Sequence, residues 1–402
     1  MTQHRVIVVG AGPVGLLTAL VLAKRDVPVL VLEAEPGLTI DLRAGTYHPP
    51  SMEMMAPYGI TDDMLDIGIK VPRWQLRDRH EGVIVEWDLS ELADITPHPY
   101  RFHLEQHRLT PIIYNRLMKC ANVSVRFASP VELVGQDADA VTVSVRNAAG
   151  ELETLTADYV IGADGGRSVV RKSAGIEFEG FTWPERFVVI STTHDFDQHG
   201  FAHNAYIADP DEWAAIFKMP GDDGKGLWRA AFPVKEEETD ESALSEARCQ
   251  ARMNGFVRLE HPYPLSYRSV YRVHQRVAAN FRAGRVLLAG DAAHVNNPLG
   301  AFGLNGGIHD AINLGGKLAQ VIADGADPAL LDLYTRQRRT ANVEQVQANS
   351  IQNKKRLEAR DPDVRRRNFD ELRAMAADPA KRREFLLTSS MITSVNRAAT
   401  IV

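Results

Sequence analysis

Residues 6–33 read VIVVGAGPVGLLTALVLAKRDVPVLVLE, an apolar run, a glycine-rich turn, a helix-length segment and a second apolar run that ends in an acid. This order predicts a βαβ unit with strands over 5–9 and 27–32 and a helix over 13–24. The turn holds Gly10, Gly12 and Gly15 in the GxGxxG spacing, and Glu33 follows the second strand. Such glycines admit a pyrophosphate to a helix N-terminus, and the acid binds a ribose. We therefore expect a dinucleotide site, with a purely structural glycine turn as the alternative.

The composition is that of an ordinary globular chain. The 402 residues are 45% hydrophobic and 24% charged, and their number predicts two to three domains of about 150 residues each. A formal net charge of −6 offers no basic surface to nucleic acid or to an anionic membrane, so neither is an expected partner. Cys120 and Cys249 are far apart in sequence, which predicts reduced thiols in a cytoplasmic protein without a bound metal. Glycines and a proline interrupt the uncharged run 6–23, so we interpret it as a strand, a turn and a helix rather than a membrane span or signal peptide.

Two further predicted strands also end in turns rich in glycine and aspartate. The strand at 159–161 leads into GADGGRSVVR at 162–171. The strand at 285–289 leads into GDAAH at 290–294, and PLGAFGLN follows at 298–305. Because ligands of open α/β sheets bind at the carboxyl ends of the strands, the three turns are expected to meet at one extended cofactor. For Asp291, helix capping is an alternative role.

These motifs, in this order and spacing, resemble those of the single-component flavoprotein aromatic hydroxylases, the family of para-hydroxybenzoate hydroxylase and 3-(3-hydroxyphenyl)propionate hydroxylase. The resemblance runs from Val6 to Arg339. It implies an FAD-dependent monooxygenase that consumes NADH or NADPH and O2. In this family the flavin is reduced, forms a C4a-hydroperoxide and hydroxylates a small aromatic ring, here phenolic, hydroxybenzoate-like or hydroxypyridine-like. A cytoplasmic monomer or homodimer is expected.

The resemblance also implies which residues hold the cofactors. The ADP half of FAD would lie against the first turn and the end of the second strand, at Gly10, Gly12, Pro13, Val14, Gly15, Glu33 and Ala34. The flavin and ribityl chain would contact Arg43, Ala44, Gln106, Gly290, Asp291, Pro298, Gly300, Gly303, Leu304 and Asn305. A helix beginning near Gly300 would stabilise the negative charge of reduced flavin. The motif with Asp164 and Gly165 would serve both FAD and the nicotinamide cofactor, whose pyrophosphate would bind Arg167 and Arg171.

The expected fold class is α/β, a Rossmann-like FAD-binding domain with a β-meander, an inserted β-sheet substrate domain and a helical C-terminal tail. The FAD-binding domain is predicted over 1–72, 101–176 and 267–345, and the substrate domain over 73–100 and 177–266. The β-meander is predicted from runs at 131–134, 140–145 and 155–161. Residues 346–402 are predicted to form a helical segment, to which the sequence assigns no role.

Candidate catalytic residues are His48, Tyr206, Arg229 and Pro298. His48 follows the predicted flavin-contacting arginine, and its ordinary titration range would suit a base for a phenolic proton. A structural histidine is an equal alternative, and for residues of the inserted sheet a place in its core is the more common role. Strand alternation places Trp228 and Arg229 on opposite faces of the sheet. The WxWxIP signature of flavin halogenases and the FxGxxxHxxxW fingerprint of Baeyer–Villiger enzymes are missing, whereas a non-oxygenating flavin oxidoreductase or flavin-bound sensor stays open.

Overall fold

A computed structural model describes residues 4–40, 45–147, 149–221 and 224–402. The N-terminal motif folds as the expected βαβ unit, with strands Val6–Val9 and Val29–Leu32 and helix Pro13–Ala23. These two strands pair in parallel in a six-stranded sheet. The order of its strands is Arg282–Ala283, Val286–Leu288, Tyr159–Gly162, Val6–Val9, Val29–Leu32 and Val123–Arg126. Helices Pro13–Ala23, Gln106–Leu117, Phe302–Ala323 and Leu330–Ala341 pack together beside it.

The second large unit is an eight-stranded sheet, antiparallel except for one parallel pair. In spatial order it contains His294–Val295, Leu265–Ala278, Phe178–Thr192, Leu227–Val234, Ala214–Met219, Asn204–Ala208, Arg73–Asp78 and Gly82–Asp88. A hairpin forms its last two strands, because Gly82 turns the chain back at a φ of +81°. Strands Leu265–Ala278 and Asn204–Ala208 were not predicted from the sequence.

The other strands form two smaller, three-stranded sheets. One contains Leu152–Ala157, Val141–Arg146 and Val131–Gln136, and the other contains Thr46–Tyr47, Arg101–His103 and Ile69–Val71. The single strand predicted over 155–161 is wrong, since Leu152–Ala157 pairs in the small antiparallel sheet and Tyr159–Gly162 in the parallel sheet. The remaining short elements are helices Pro49–Met55, Ile60–Leu65, Val169–Ser173, Asp240–Leu244 and Glu246–Asn254 and the 3-10 turns Ala56–Tyr58, Leu89–Leu92, Phe196–His199 and Gly290–Ala292.

The C-terminal region is helical and lies against the eight-stranded sheet. A π-helical turn, Asn342–Gln347, leads into helices Ala348–Leu357, Pro362–Ala377, Pro379–Ser389 and Ile392–Ala399. Leu357, Phe369 and Leu386 are buried in one cluster with Trp74 and Trp87 of the sheet. Ion pairs join the helices to the sheet side, including Lys354 with Glu185 at 3.1 Å and Arg382 with Glu91 at 2.9 Å. This region therefore shares a core with the predicted substrate sheet.

The fold class expected from the sequence is confirmed, including the helical C-terminal region. Across the described ranges, none of the helices combines the length and the apolar character needed to cross a bilayer.

Candidate active site

The three glycine-containing turns meet at one edge of the parallel sheet. Their strands are neighbours, and hydrogen bonds link the residues just beyond the strand ends. The amide of Ala163 donates to Val9 O at 2.8 Å, and the amide of Ala289 donates to Gly162 O at 2.9 Å. All three turns therefore line a single groove at the carboxyl ends of the strands, where ligands of such sheets bind.

The first turn has the geometry of a pyrophosphate cradle. Gly10 has a φ of +105°, and a Cβ there would clash with the carbonyl oxygen of Ala163. A Cβ on Gly15 would clash with the carbonyl oxygen of Gly10, so helix and strand approach as closely as their backbones allow. At Gly12, in contrast, a Cβ would meet no atom of the described residues within 4 Å. Gly12 therefore faces open space directly before helix Pro13–Ala23, where the backbone amides favour a phosphate group.

Glu33 closes the second strand beside this cradle. Its carboxylate accepts hydrogen bonds from the amide of Ala11 at 2.7 Å and from the amide of Glu35 at 2.9 Å. The side chain is half-buried and the adjacent Ala34 is exposed. The carboxylate is thus held at the strand end with acceptor capacity left for ribose hydroxyls.

The second turn is organised by Asp164. Its carboxylate accepts from Ser168 Oγ at 2.5 Å and from the amides of Val169 and Val170 at 2.7 and 3.1 Å, and so caps helix Val169–Ser173. Burial raises the pKa of Asp164. Gly165 takes a φ of +77° in the same turn.

The two arginines of this motif differ sharply. Arg171 is buried, donates to Ala292 O at 2.8 Å and to Gly166 O at 2.9 Å, and stacks on the ring of Phe178. Its guanidinium is occupied inside the protein, which argues against the predicted contact with a nicotinamide pyrophosphate. Arg167 is exposed, and for it that contact stays a prediction.

A buried charge network fixes the third turn. Asp310 accepts from the amide of Gly290 at 3.0 Å, from His294 Nε2 at 2.6 Å and from Arg338 Nε at 2.7 Å. Burial alone would raise the pKa of Asp310, but His294 and Arg338 hold it well below its ordinary value. Gly290 has a φ of +61° and packs on Val14, and the adjacent Asp291 is exposed.

The segment from Pro298 to Asn305 joins the groove to the eight-stranded sheet. The carbonyl of half-buried Pro298 accepts from the amide of Ala301, and helix Phe302–Ala323 begins there, with Gly303 and Leu304 half-buried in its first turn. Asn305 is fully buried and bonds only backbone groups, accepting from His48 N and donating to Thr46 O and Ala301 O. Its side chain holds the helix start in place, so the predicted flavin contact would fall to backbone amides instead.

His48 also positions this segment. Its Nε2 lies 2.8 Å from Gly300 O, and its ring stacks on Phe302. Burial, together with the nearby charge of Arg101, lowers the pKa of His48 to about 3. His48 therefore stays neutral and donates to the backbone carbonyl of Gly300. Its role is to hold Gly300 in place. This environment argues against the predicted role as a base for the phenolic proton.

Beside Gly300 lies a largely apolar cavity of about 900 Å³, counting the space at its mouth. Its inner wall is aromatic, formed by Trp74, Trp87, Tyr206 and Phe302. The outer wall comes from the C-terminal helices, through Asn349, Gln352, Asn353, Arg356, Leu357, Leu372, Phe385, Thr388 and Ser389. Phe385 stacks on Trp87 with ring centroids 4.1 Å apart. Helices within residues 346–402, to which the sequence assigned no role, therefore form one side of the cavity.

The predicted residues of the inserted sheet divide between its two faces. Tyr206 lines the cavity, and its hydroxyl accepts from the amide of Gly300 at 3.2 Å. Arg229 is buried beside Phe217 on the same face, but it is not part of the cavity wall. Trp228 lies in the core on the other face and donates to Asp195. The alternation predicted for Trp228 and Arg229 is confirmed.

Sequence reasoning missed the polar end of the cavity. Arg101 lines it from strand Arg101–His103, a three-residue strand that is buried throughout. The sequence carried no signal for this role, because the burial of Arg101 becomes visible only in the folded chain. Gln106 begins the helix that follows and is half-buried. The predicted flavin contacts Arg43 and Ala44 lie outside the described residues.

A parallel sheet with a dinucleotide cradle, beside an apolar cavity on a second sheet, is the arrangement of a dinucleotide-dependent oxidoreductase. The chain matches the family model described as FAD binding domain over residues 3–350. It is 38% identical to para-nitrophenol 4-monooxygenase of Pseudomonas sp. (strain WBC-3), over 96% of this chain and 95% of that protein. It is 37% identical to 6-hydroxy-3-succinoylpyridine 3-monooxygenase of Pseudomonas putida (strain DSM 28022 / S16), over 88% and 89%. The crystal structure of p-nitrophenol 4-monooxygenase from Pseudomonas putida DLL-E4 matches with a TM-score of 0.92 and 35% identity over 98% of both chains.

This chain thus belongs to the FAD binding domain family and is a flavin-dependent aromatic monooxygenase. The family predicted from the three motifs is confirmed, and so is FAD as the cofactor. The open space at Gly12, the helix N-terminus behind it and the acceptor at Glu33 fit the phosphates and ribose of that group.

Proposed function

We propose that this enzyme uses NADH or NADPH and O2 to hydroxylate a small phenolic or hydroxypyridine ring. The single observation that carries the substrate class is the aromatic-walled cavity beside Gly300, which directly adjoins the helix start expected to face the flavin. Small-molecule sites are concave and mostly apolar, with a few polar groups that fix orientation. Two relatives named above are monooxygenases of a nitrophenol and of a hydroxypyridine, and this supports the same class of ring here.

Bound FAD, once reduced by NAD(P)H, supplies the oxygen-transfer chemistry, and the protein supplies orientation and a dry site. In this proposal Trp74 and Phe302 contact the substrate ring from the cavity wall, and the hydroxyl of Tyr206 orients it. The carbonyl of Pro298 and the amides at the start of helix Phe302–Ala323 would face the flavin edge. The C-terminal helices would exclude water from the reacting ring, since Phe385 and Leu372 line the cavity from these helices.

The predicted contacts of Gln106, Asp291, Gly290 and Arg167 with the cofactors belong to the same proposal. So does the division into an FAD-binding domain over 1–72, 101–176 and 267–345 and a substrate domain over 73–100 and 177–266. The cavity walls suggest one change, namely that residues 346–402 form part of the substrate domain rather than a separate segment.

The test is consumption of NADH and of NADPH by the purified holoenzyme in the presence of phenols, hydroxybenzoates and hydroxypyridines, with products identified by mass spectrometry in ¹⁸O2. We expect rapid, substrate-dependent oxidation and one labelled oxygen in the product. A protein that binds such rings but yields no labelled product would instead be the flavin-bound sensor or non-oxygenating oxidoreductase.

A further inference from the structure

Gln275 lies in a buried hydrogen-bond network outside the cavity. It stands on strand Leu265–Ala278 of the eight-stranded sheet and is only 3% exposed. Its Oε1 accepts from the backbone amide and the Nδ2 of Asn297, both at 3.1 Å, and from Trp183 Nε1 at 3.2 Å. Because a backbone amide and an indole N–H can only donate, the carboxamide of Gln275 is fixed in one orientation.

The other end of this carboxamide reaches the C-terminal region. Gln275 Nε2 donates to Ser350 Oγ at 3.0 Å and to Gln347 Oε1. Ser350 is fully buried in helix Ala348–Leu357, and Gln347 ends the π-helical turn before it. The same helix supplies much of the outer wall of the cavity. One side chain thus bonds the helix of the cavity wall and, on its other side, Asn297.

Asn297 opens the turn that runs through Pro298 to Ala301, and this turn is strained. Gly300 has a φ of +107°, and Ala301, which carries a Cβ, has a φ of +59°. Left-handed backbone of this kind persists at an alanine only where the surrounding structure holds it. Asn297 is fully buried, and its Oδ1 accepts from the amide of Leu299 at 3.1 Å. A side chain that fixes Asn297 therefore fixes the start of the turn.

Three side chains from distant parts of the sequence hold this turn. Tyr206 and His48 bond the amide and the carbonyl of Gly300 near its end. Gln275 bonds Asn297 at its start, and it alone of the three also bonds Ser350 and Gln347 in the hydrogen bonds of the described residues. Gln275 therefore joins the turn to the C-terminal helices.

We propose that Gln275 is a positioning residue for the hydroxylation. It joins the C-terminal wall of the cavity to the turn 297–301, so that a ring bound against this wall keeps a fixed place relative to the flavin. Two further contacts join the same parts, Gln347 Nε2 with Val295 O at 3.2 Å and Asn353 Nδ2 with Leu299 O at 3.5 Å. The inference rests on the proposed function, which puts the ring in the cavity and the turn at the flavin edge.

The consequence of losing this connection is chemical. Reaction rates depend steeply on placement, since a displacement of about 1 Å can cost about 100-fold. When the ring is displaced, NAD(P)H, a proton and O2 yield NAD(P)⁺ and hydrogen peroxide, and no oxygen enters the product. The share of NAD(P)H that ends as hydrogen peroxide therefore measures how well the ring is placed.

The test compares Gln275→Met with Gln75→Met. Methionine keeps the length of the side chain and removes every hydrogen bond of the carboxamide. Gln75 is the matched control, a buried glutamine near the other end of the same sheet that bonds Glu86 at 2.8 Å and the amide of Ala202 at 3.1 Å. Three quantities are measured on each holoenzyme: the affinity for 4-nitrophenol, the hydrogen peroxide formed per NAD(P)H, and hydrogen exchange in peptides that cover 297–301.

In Gln275→Met we expect exchange at 297–301 to be about 5- to 10-fold faster, the effect of about one net hydrogen bond. The share of hydrogen peroxide should rise severalfold. The affinity for 4-nitrophenol should stay that of the wild type, because Gln275 lies outside the cavity wall. General destabilisation would instead lower affinity and coupling together. Gln75→Met should match the wild type in exchange at 297–301 and in peroxide.

Gln347→Met reaches the same network from the helix side and decides the question if Gln275→Met does not fold. It should also raise the share of hydrogen peroxide. Where both variants fold, the double variant should add little to the effect of Gln275→Met, because both substitutions break one connection.

A folded Gln275→Met with the peroxide share of the wild type would overturn the proposal, whether or not exchange at 297–301 is faster. An equal rise of peroxide in Gln75→Met would overturn it as well. In both cases a wild type that hydroxylates its ring leaves the proposed function intact. A wild type that hydroxylates no ring would overturn the proposed function, and the role of Gln275 in hydroxylation with it.

Discussion

Arg171 Nη1 lies 2.8 Å from the carbonyl oxygen of Ala292, so one buried side chain ties the second cofactor turn to the third. Its Nη2 donates to Gly166 O within the second turn itself, and the guanidinium lies 3.8 Å from the ring centroid of Phe178. The residue predicted to bind a visiting nicotinamide is therefore a brace between two walls of the FAD groove.

Arg171→Ala should lower stability more than it alters the KM for NAD(P)H. It removes the partner of the buried Ala292 carbonyl, a loss of about 1–3 kcal/mol when such a group is left unsatisfied. It also removes the packing of the guanidinium on the Phe178 ring. Arg167→Ala is the matched variant, because Arg167 is exposed in the same motif. We expect it to raise the KM for the nicotinamide at unchanged melting temperature. Thermal unfolding and steady-state kinetics separate the two, and the reverse pattern would restore the original prediction.

Gly10→Ala should lower stability, whereas Gly12→Ala should lower the affinity for FAD. The first forces a Cβ into Ala163 O at a φ of +105°, and backbone strain of this kind costs about 1–3 kcal/mol. The second adds a Cβ to open space, so the apoprotein should melt as the wild type does. FAD titration of both apoproteins should show weakened binding in Gly12→Ala. Wild-type FAD affinity in that variant would mean that the pyrophosphate lies elsewhere.

Substitutions of two aspartates near the third turn should likewise separate loss of FAD binding from loss of stability. Asp291→Asn should weaken FAD binding about 10- to 100-fold through loss of charge-assisted hydrogen bonds to the ribityl chain. It should lower stability less than a substitution of Asp310, because the Asp291 side chain is exposed. Asp310→Asn should cost about 3–5 kcal/mol, the cost of leaving Arg338 buried without its counter-charge. Denaturant unfolding of the two apoproteins provides the comparison. Equal stability loss in both would contradict these roles.

Stability should fall as the pH drops below 6.5, because the pKa values of His48, His103 and His309 are lowered by burial. The folded state keeps each ring neutral, so stability is fully present above the unfolded pKa of about 6.5 and is lost as the unfolded chain takes up protons. Each histidine contributes a loss of up to about 2 kcal/mol between pH 6.5 and 5. Urea unfolding at pH 6.5 and 5 measures this loss of stability. The loss should be smaller in His103→Gln than in the wild type. It should equal the wild-type loss in His80→Gln, whose side chain is exposed.

Phe385→Ala should uncouple NAD(P)H oxidation from hydroxylation. Phe385 stacks on Trp87 and covers the cavity from the C-terminal helices, so its removal should admit water to the reacting ring. The expected result is a larger share of hydrogen peroxide per NAD(P)H consumed, measured beside the hydroxylated product. Phe181→Ala is the control, because the Phe181 ring is exposed on the eight-stranded sheet. Unchanged coupling in Phe385→Ala would mean that the helices do not seal the site.

The sequence alone determined the βαβ unit, the strands that lead into the three glycine-containing turns, and the family, because each depends on local rules. A GxGxxG turn between a strand and a helix, or a Gly-Asp pair after a buried strand, has the same meaning wherever the chain goes next. The tertiary structure decided which polar side chains face a ligand and which brace the fold. Arg171, His48 and Asn305 were sequence candidates for chemistry, but the carbonyl groups that engage them come from segments up to 259 residues away. Arg101 and the C-terminal helices show the converse, since only packing of distant strands and helices around one cavity gives them a part in the site.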